Sequence, residues 1–140
     1  MPFIIARVNV PVNHEQEEII KYRLDRAIEL VPGKSEQYLM ICFQDNCRFW
    51  LRGDNSLLAA YIEVSIFGNE RHYGYESLTQ EITRAFHDVL GIPSENIYLK
   101  YDDIHVWGVA SLYLSEKLIM KACFLPQKRP PKHSGRLNIC

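Results

Sequence analysis

The sequence predicts an α+β domain in which duplicated βαβ units form a four-stranded mixed sheet with two helices on one face. Three observations lead there. Two segments carry apolar residues at helical spacing, each of them lies between strand-like runs, and the two halves of the chain match at a shift of 58 residues. The chain has 140 residues, 47% apolar and 24% charged, which suits one packed domain and argues against wholesale disorder.

Taken in order, Ile4, Ala6, Val8 and Val10 alternate as a strand does. A helix is predicted from Asn13 to the stop at Pro32-Gly33. Ile20, Leu24, Ala27, Ile28 and Val31 fall on one face of it, and Asn13 with Gln16 forms a capping-box pair. Tyr38–Phe43 reads as the next strand. Arg48-Phe49-Trp50-Leu51-Arg52-Gly53 mixes basic and aromatic residues, as single-strand nucleic-acid sites do, but a short edge strand before a glycine turn is the preferred reading. Ala60, Ile62, Val64 and Ile66 alternate as a third strand. Gly68–Gly74 is a turn-rich link without a phosphate-loop pattern. A second helix is predicted from Ser77, paired with Gln80, to Gly91, with Leu78, Ile82, Ala85, Phe86, Val89 and Leu90 on its apolar face. Ile97–Tyr101 is the fourth strand.

In the repeat, Ile4, Ala6 and Val8 map onto Ile62, Val64 and Ile66. Ile20, Leu24, Ala27, Ile28 and Val31 map onto Leu78, Ile82, Ala85, Phe86 and Val89, and Gly33 maps onto Gly91. Right-handed βαβ units put both helices on the same side of the sheet. The strands at 38–43 and 97–101 look apolar on both sides, so the other sheet face needs a cover. Residues 112–125 look too irregular to supply one, which leaves self-association.

Composition excludes several classes. The net charge of −1 argues against a globally basic nucleic-acid binder, and no run of 18 apolar residues suggests a membrane span. The first residues lack the basic start and apolar core of a secretory signal, so a cytoplasmic location is expected, or secretion without a signal peptide. Cys42, Cys47, Cys123 and Cys140 fit neither a redox pair nor a zinc site. Cys42 reads as a small buried hydrophobe, no structural disulfide is expected, and the five histidines form no metal motif. Neither a metal nor a cofactor is expected. Charge is uneven: residues 1–115 hold ten basic against sixteen acidic residues, a net −6, whereas 116–140 hold six basic residues against Glu116, a net +5. The reading is one domain over 1–115 and a basic, proline-containing, poorly ordered tail over 116–140.

Met1-Pro2 is a start that methionine aminopeptidase trims, leaving proline as the terminal residue. Its secondary amine, with an ordinary value of roughly 7.7–8.0 for a terminal amine, would be kept neutral by an apolar pocket and a nearby cation. Such an amine can take a proton from carbon beside a carbonyl. Taken alone, the dipeptide is also an accidental start in many proteins.

The chain resembles the tautomerase superfamily and, within it, the macrophage migration inhibitory factor (MIF) family, over residues 1 to about 115. The resemblance is carried by Met1-Pro2-Phe3-Ile4-Ile5, Asn9-Val10-Pro11, Gly33-Lys34-Ser35-Glu36-Gln37-Tyr38, Val64-Ser65-Ile66, Ile97-Tyr98-Leu99 and His105-Val106-Trp107-Gly108. It implies a homotrimer with active sites between subunits and keto–enol tautomerisation of phenylpyruvate-like (aryl 2-oxo acid) or dopachrome-like substrates. Pro2 would be the catalytic base and acid, and Lys34 would grip the substrate carboxylate. The backbone of Ile66, with Ser65 beside it, would contact substrate, and Tyr38 would stand near the pocket rim. Tyr98 would come from the neighbouring subunit.

The chain also departs from the family. Lys100 stands where the family commonly has Asn, and it would be a second cation for the carboxylate. Val109–Leu114 replaces the usual aromatic C-terminal stretch, and the Cys-x-x-Cys of some vertebrate members is replaced by Leu58-Ala59-Ala60-Tyr61. The alternative is a MIF-like cytokine or binding protein, with a possible protein receptor and only vestigial activity. Other chemistry by the same proline, or a regulatory ligand-binding domain, are further readings.

Overall fold

The computed structural model describes residues 1–115; the tail read from 116 onward lies outside them. The chain runs through β1 (Pro2–Val8), α1 (His14–Ala27), β2 (Met40–Gln44), β3 (Ala60–Phe67), α2 (Tyr75–Leu90), β4 (Ile97–Ile104), β5 (Val106–Val109) and β6 (Leu112–Ser115). The main sheet has the order β2-β1-β3-β4. β1 is parallel to β2, β3 is parallel to β4, and β1 and β3 meet antiparallel at the centre. Each half is a βαβ unit, as the repeat predicts, and the halves join along their first strands.

One sheet face carries the core. Ile4, Ala6 and Val8 of β1 and Ile62, Val64 and Ile66 of β3 are buried against Ile20 and Leu24 of α1 and Leu78, Ile82 and Phe86 of α2. Fully burying one such side chain is worth about 1.5–3 kcal/mol. Strand alternation thus fixes the register, because a one-residue slip would turn this set to the other face.

Asn13 caps α1 as predicted: its Oδ1 accepts the Gln16 N–H at 2.8 Å, and Gln16 Oε1 accepts the Asn13 N–H at 3.0 Å. The helix ends earlier than the pattern implies. It tightens into a 3-10 turn at Ile28–Leu30, and Val31 is already extended, at φ −88 and ψ 123. Pro32 is the cause, since a residue before proline is pushed out of the helical region. α2 stops at Gly91, left-handed at φ +70. Its start differs from the predicted Ser77: Gly74 is the N-cap and Ser77 lies exposed within the first turn. Tyr75 extends the inward stripe by one turn, stacking on Tyr101 at 4.5 Å and donating to Asp103 Oδ1 at 3.1 Å.

Four further expectations are corrected. Tyr38 belongs to a 3-10 turn, Glu36–Tyr38, and the strand begins at Met40. The 48–53 segment is not a strand; Leu51 and Asp54 form a single bridge that closes a turn at Arg52 and Gly53, both left-handed. The second sheet face is mixed rather than apolar. Alternation places Arg7, Glu63, Lys100 and Asp102 there among Phe3, Ile5 and Met40, with Arg7 paired to Glu63 at 3.2 Å. Cys42 also falls on that face of the edge strand and is only half-buried, because Ile41 and Phe43 take the core side. β5 and β6 form a separate hairpin whose turn residues Ala110 and Ser111 are both left-handed.

Asn13→Ala should cost about 1 kcal/mol, because it leaves the first-turn N–H groups without their side-chain acceptor. A urea midpoint lowered at unchanged slope is the expected result.

Candidate active site

The site lies where β1 begins and β3 ends. Pro2 pairs with Ile66 across the antiparallel ladder, and both are buried. Met1 continues the strand by one residue: its carbonyl accepts the Phe67 N–H at 3.3 Å, and the residue is 7% exposed. The chain terminus is thus inside the protein.

Lys34 reaches this point from the turn after α1. That turn is closed by Lys34 N–H donating to the Val31 carbonyl at 3.1 Å, with Gly33 left-handed at φ +76. The half-buried side chain donates from Nζ to the Phe67 carbonyl at 2.7 Å. It also hydrogen-bonds the terminal amine, which helps it keep its proton although burial lowers its pKa. The terminal amine is lowered from 8.0 to about 5, first by burial and then by the Lys34 charge and hydrogen bond. Two cations cannot share a desolvated corner cheaply, and the weaker base loses its proton.

Of the sequence-predicted residues, Pro2, Lys34 and Ile66 come together here. Tyr38 is half-buried just before Met40, which pairs with Phe3, so it lies at the same end of the sheet. Ser65 pairs with Phe3 and its side chain belongs to the opposite sheet face. Tyr98 and Lys100 are not brought to Pro2 within the protomer. They pair with Tyr61 and Glu63, so Tyr98 lies five residues along from the Ile66 level, about 16 Å away. Tyr98 is 53% exposed, and the Lys100 ammonium lies 3.6 Å from Asp102. The sequence reading places the basic nitrogen on Pro2. In the chain as it stands, with Met1 attached, the Pro2 nitrogen is an amide, and the Met1 amine holds the depressed pKa.

Sequence reasoning missed the polar group at the far edge of this end. Asp103, level with Ile66 on β4, accepts from Tyr75 and pairs with His72. Burial first, then the Asp103 hydrogen bond, pushes the Tyr75 phenol well up. The available signal was an acid in the inward alternation Leu99–Tyr101–Asp103. Among the described residues, no cluster of three or more His, Cys, Asp or Glu could hold a metal, and no helix is long and apolar enough to cross a membrane.

Comparison with solved structures shows what this arrangement is built on. The chain superposes on MIF2 of Leishmania major with a TM-score of 0.75 at 24% identity, covering 81% of this chain and 97% of that one. This is the MIF fold. The same architecture matches Pt0534 inactivated by 2-oxo-3-pentynoate, with a TM-score of 0.72 at 12% identity, covering 84% of this chain and 98% of that one. It also matches a fused 4-OT symmetric trimer, with a TM-score of 0.71 at 15% identity, covering 82% and 96%. No family model and no curated protein sequence matches the chain. In this chain the buried Met1 stands at the end of the central strand pair of that fold.

The amine titration has a consequence for stability. Its folded value, about 5, lies below the ordinary value of 8.0, so between these the unfolded chain binds the extra proton. The Met1-bearing chain should lose stability as pH falls from 8 to 5. Nα-acetylation should remove that part of the slope, read as the difference between urea midpoints of acetylated and free chains.

Proposed function

We propose that the mature chain, freed of Met1, is a keto–enol tautomerase of phenylpyruvate-like aryl 2-oxo acids or dopachrome-like compounds, with Pro2 as general base and acid. The observation that carries this is the desolvated, cation-flanked corner at the start of β1, where the Met1 amine is lowered to about 5 and where a Pro2 amine would be lowered by the same burial and the same Lys34 charge. Removal of Met1 would turn the Pro2 nitrogen from an amide into a secondary amine beside Ile66 and Lys34.

In the proposed reaction, Lys34 Nζ binds the substrate carboxylate by a charge-assisted hydrogen bond. Pro2 takes a proton from the carbon beside the ketone. The electrons of that C–H bond form the enol double bond, and the protonated Pro2 gives its proton to the carbonyl oxygen, which leaves the amine neutral again. In the reverse direction Pro2 takes the enol O–H proton and gives it to carbon as the carbonyl re-forms. Lys34 disfavours the protonated proline, so the proton leaves it readily. The backbone at Ile66 helps orient the substrate, and Tyr38 stands at the rim.

A homotrimer completes this reading. Tyr98 and Lys100 lie far from their own Pro2 and are largely exposed, so they could serve only the site of the partner subunit. The trimeric assembly of the fused 4-OT neighbour supports such an association, and inactivation of Pt0534 by a 2-oxo acid supports the substrate class. The second reading, a MIF-like cytokine or binding protein with vestigial activity, is favoured by the β5–β6 hairpin, where Val106, Leu112 and Tyr113 are exposed.

The test follows the ultraviolet absorbance of phenylpyruvate enol as it converts to ketone, with intact mass establishing loss of Met1. The processed parent should accelerate ketonisation, and Pro2→Gly should be slower by about 10²-fold or more. An acid limb below the ordinary terminal-amine range and an alkaline limb below the ordinary lysine range are expected in kcat/KM, because burial and the Lys34 charge that lower the Met1 amine would act on a Pro2 amine in the same corner. No rate above buffer for the processed chain contradicts the enzyme reading and favours the binding one. A Pro2→Gly rate equal to the parent's contradicts the mechanism.

A further inference from the structure

Lys34 is held at two points by one loop. The link from β3 to α2 starts at Phe67, whose carbonyl accepts the lysine ammonium at 2.7 Å. It ends at Gly74, which faces the turn that carries Lys34. A Cβ on Gly74 would stand 2.1 Å from the Leu30 carbonyl oxygen, 2.8 Å from its carbonyl carbon and 3.3 Å from Val31 Cα. All three are backbone atoms, so no side-chain rotation relieves the contact. Val31 then accepts the Lys34 amide at 3.1 Å. Gly33, Gly53, Gly68 and Gly91 share a left-handed φ with Gly74, yet a Cβ at any of these four meets nothing within 4 Å. At Gly74 a close approach of two backbones adds to the φ requirement.

The loop is braced so that Gly74 cannot drift. Asn69 Nδ2 donates to the Tyr73 carbonyl at 3.0 Å, His72 N–H donates to the Asn69 carbonyl at 3.0 Å, and His72 is tied to Asp103 of β4. α2 therefore starts from a fixed point, and the Leu30–Val31 peptides rest directly on it.

We propose that Gly74 is a positioning residue for substrate recognition: by letting α2 seat against Leu30–Val31, it sets the height of the Lys34 turn and so the place of the carboxylate-binding ammonium. This rests on the proposed role of Lys34 as the carboxylate grip. Any side chain at residue 74 pushes the turn outward and draws the ammonium away from the Phe67 carbonyl and the chain terminus. The effect on binding of the charged group is confined to substrates that carry a carboxylate, whereas any change in proton transfer by Pro2 is common to acid and ester and cancels in their ratio.

The experiment compares the processed parent with Gly74→Ala, using Gly91→Ala as the strain-matched control, since Gly91 has φ +70 and open space around it. Two readouts are taken: the ratio of kcat/KM for phenylpyruvate to that for its methyl ester, and amide hydrogen exchange at Lys34. In Gly74→Ala the acid-over-ester ratio should fall about tenfold, mostly through KM for the acid, and Lys34 exchange should quicken several-fold. Gly91→Ala should move neither. A parent-like ratio in folded Gly74→Ala, or an equal fall in Gly91→Ala, overturns the proposal. If Gly74→Ala does not fold, Asn69→Ala, which removes the brace at Tyr73, takes its place: a smaller fall in the ratio is expected, and an unchanged ratio overturns the proposal. Should the parent convert neither compound, the tautomerase reading fails on its own, and unchanged Lys34 exchange in the variant overturns the positioning.

Discussion

The chain terminus is buried against a lysine, and the chemistry argued for this protein depends on that contact. An α-amine with an ordinary value of 8.0 and a lysine with one of 10.5 cannot both stay charged in a desolvated corner, and the lysine is the stronger base. Lys34 also has the Phe67 carbonyl to hold its proton, and its charge and hydrogen bond disfavour a proton on the terminus. With Met1 in place, the outcome is a neutral amine and a charged lysine a hydrogen bond apart. With Pro2 in place of the Met1 amine, as proposed, such a pair would suit an anionic substrate with an acidic carbon a short distance from its carboxylate.

The duplicated frame explains why a protomer has one such corner. The position that repeats Lys34 in the second half is Ile92, which is fully buried, and the position that repeats Pro2 is Ala60, inside the chain. The repeat supplies two similar sheet ends, and only the first ends in a free nitrogen beside a cation. The other end holds Tyr98, exposed at the start of β4. A protomer therefore presents a buried terminus beside Lys34 at one end of its sheet and an exposed tyrosine at the other, which is the arrangement the proposed trimer would use.

Most of the frame was legible because periodicity reports burial. The alternation of Ile4, Ala6 and Val8 and of Ile62, Val64 and Ile66 gives the inner face directly, and the capping box at Asn13 and Gln16 is a local interaction written in four residues. The start of α2 was not legible. Gly74 caps it through a contact with Leu30, and nothing local distinguishes that glycine from Gly68. The outer face was misread because Lys100 and Glu63 belong to different strands, and their neighbourhood appears only once β3 and β4 pair. Of the site, Pro2, Lys34 and Ile66 were readable from motif and order. The Phe67 carbonyl was not, since a backbone acceptor leaves no mark in sequence, and His72–Asp103 joins residues brought together only by the fold.

The most direct measurement is the titration of the Pro2 nitrogen itself, followed by nuclear magnetic resonance in processed, 15N-proline-labelled protein. The account predicts a value well below the ordinary terminal-amine range of about 7.7–8.0, moving upward when Lys34 is changed to Met. A Pro2 nitrogen that titrates within the ordinary range, and is indifferent to Lys34, would contradict it.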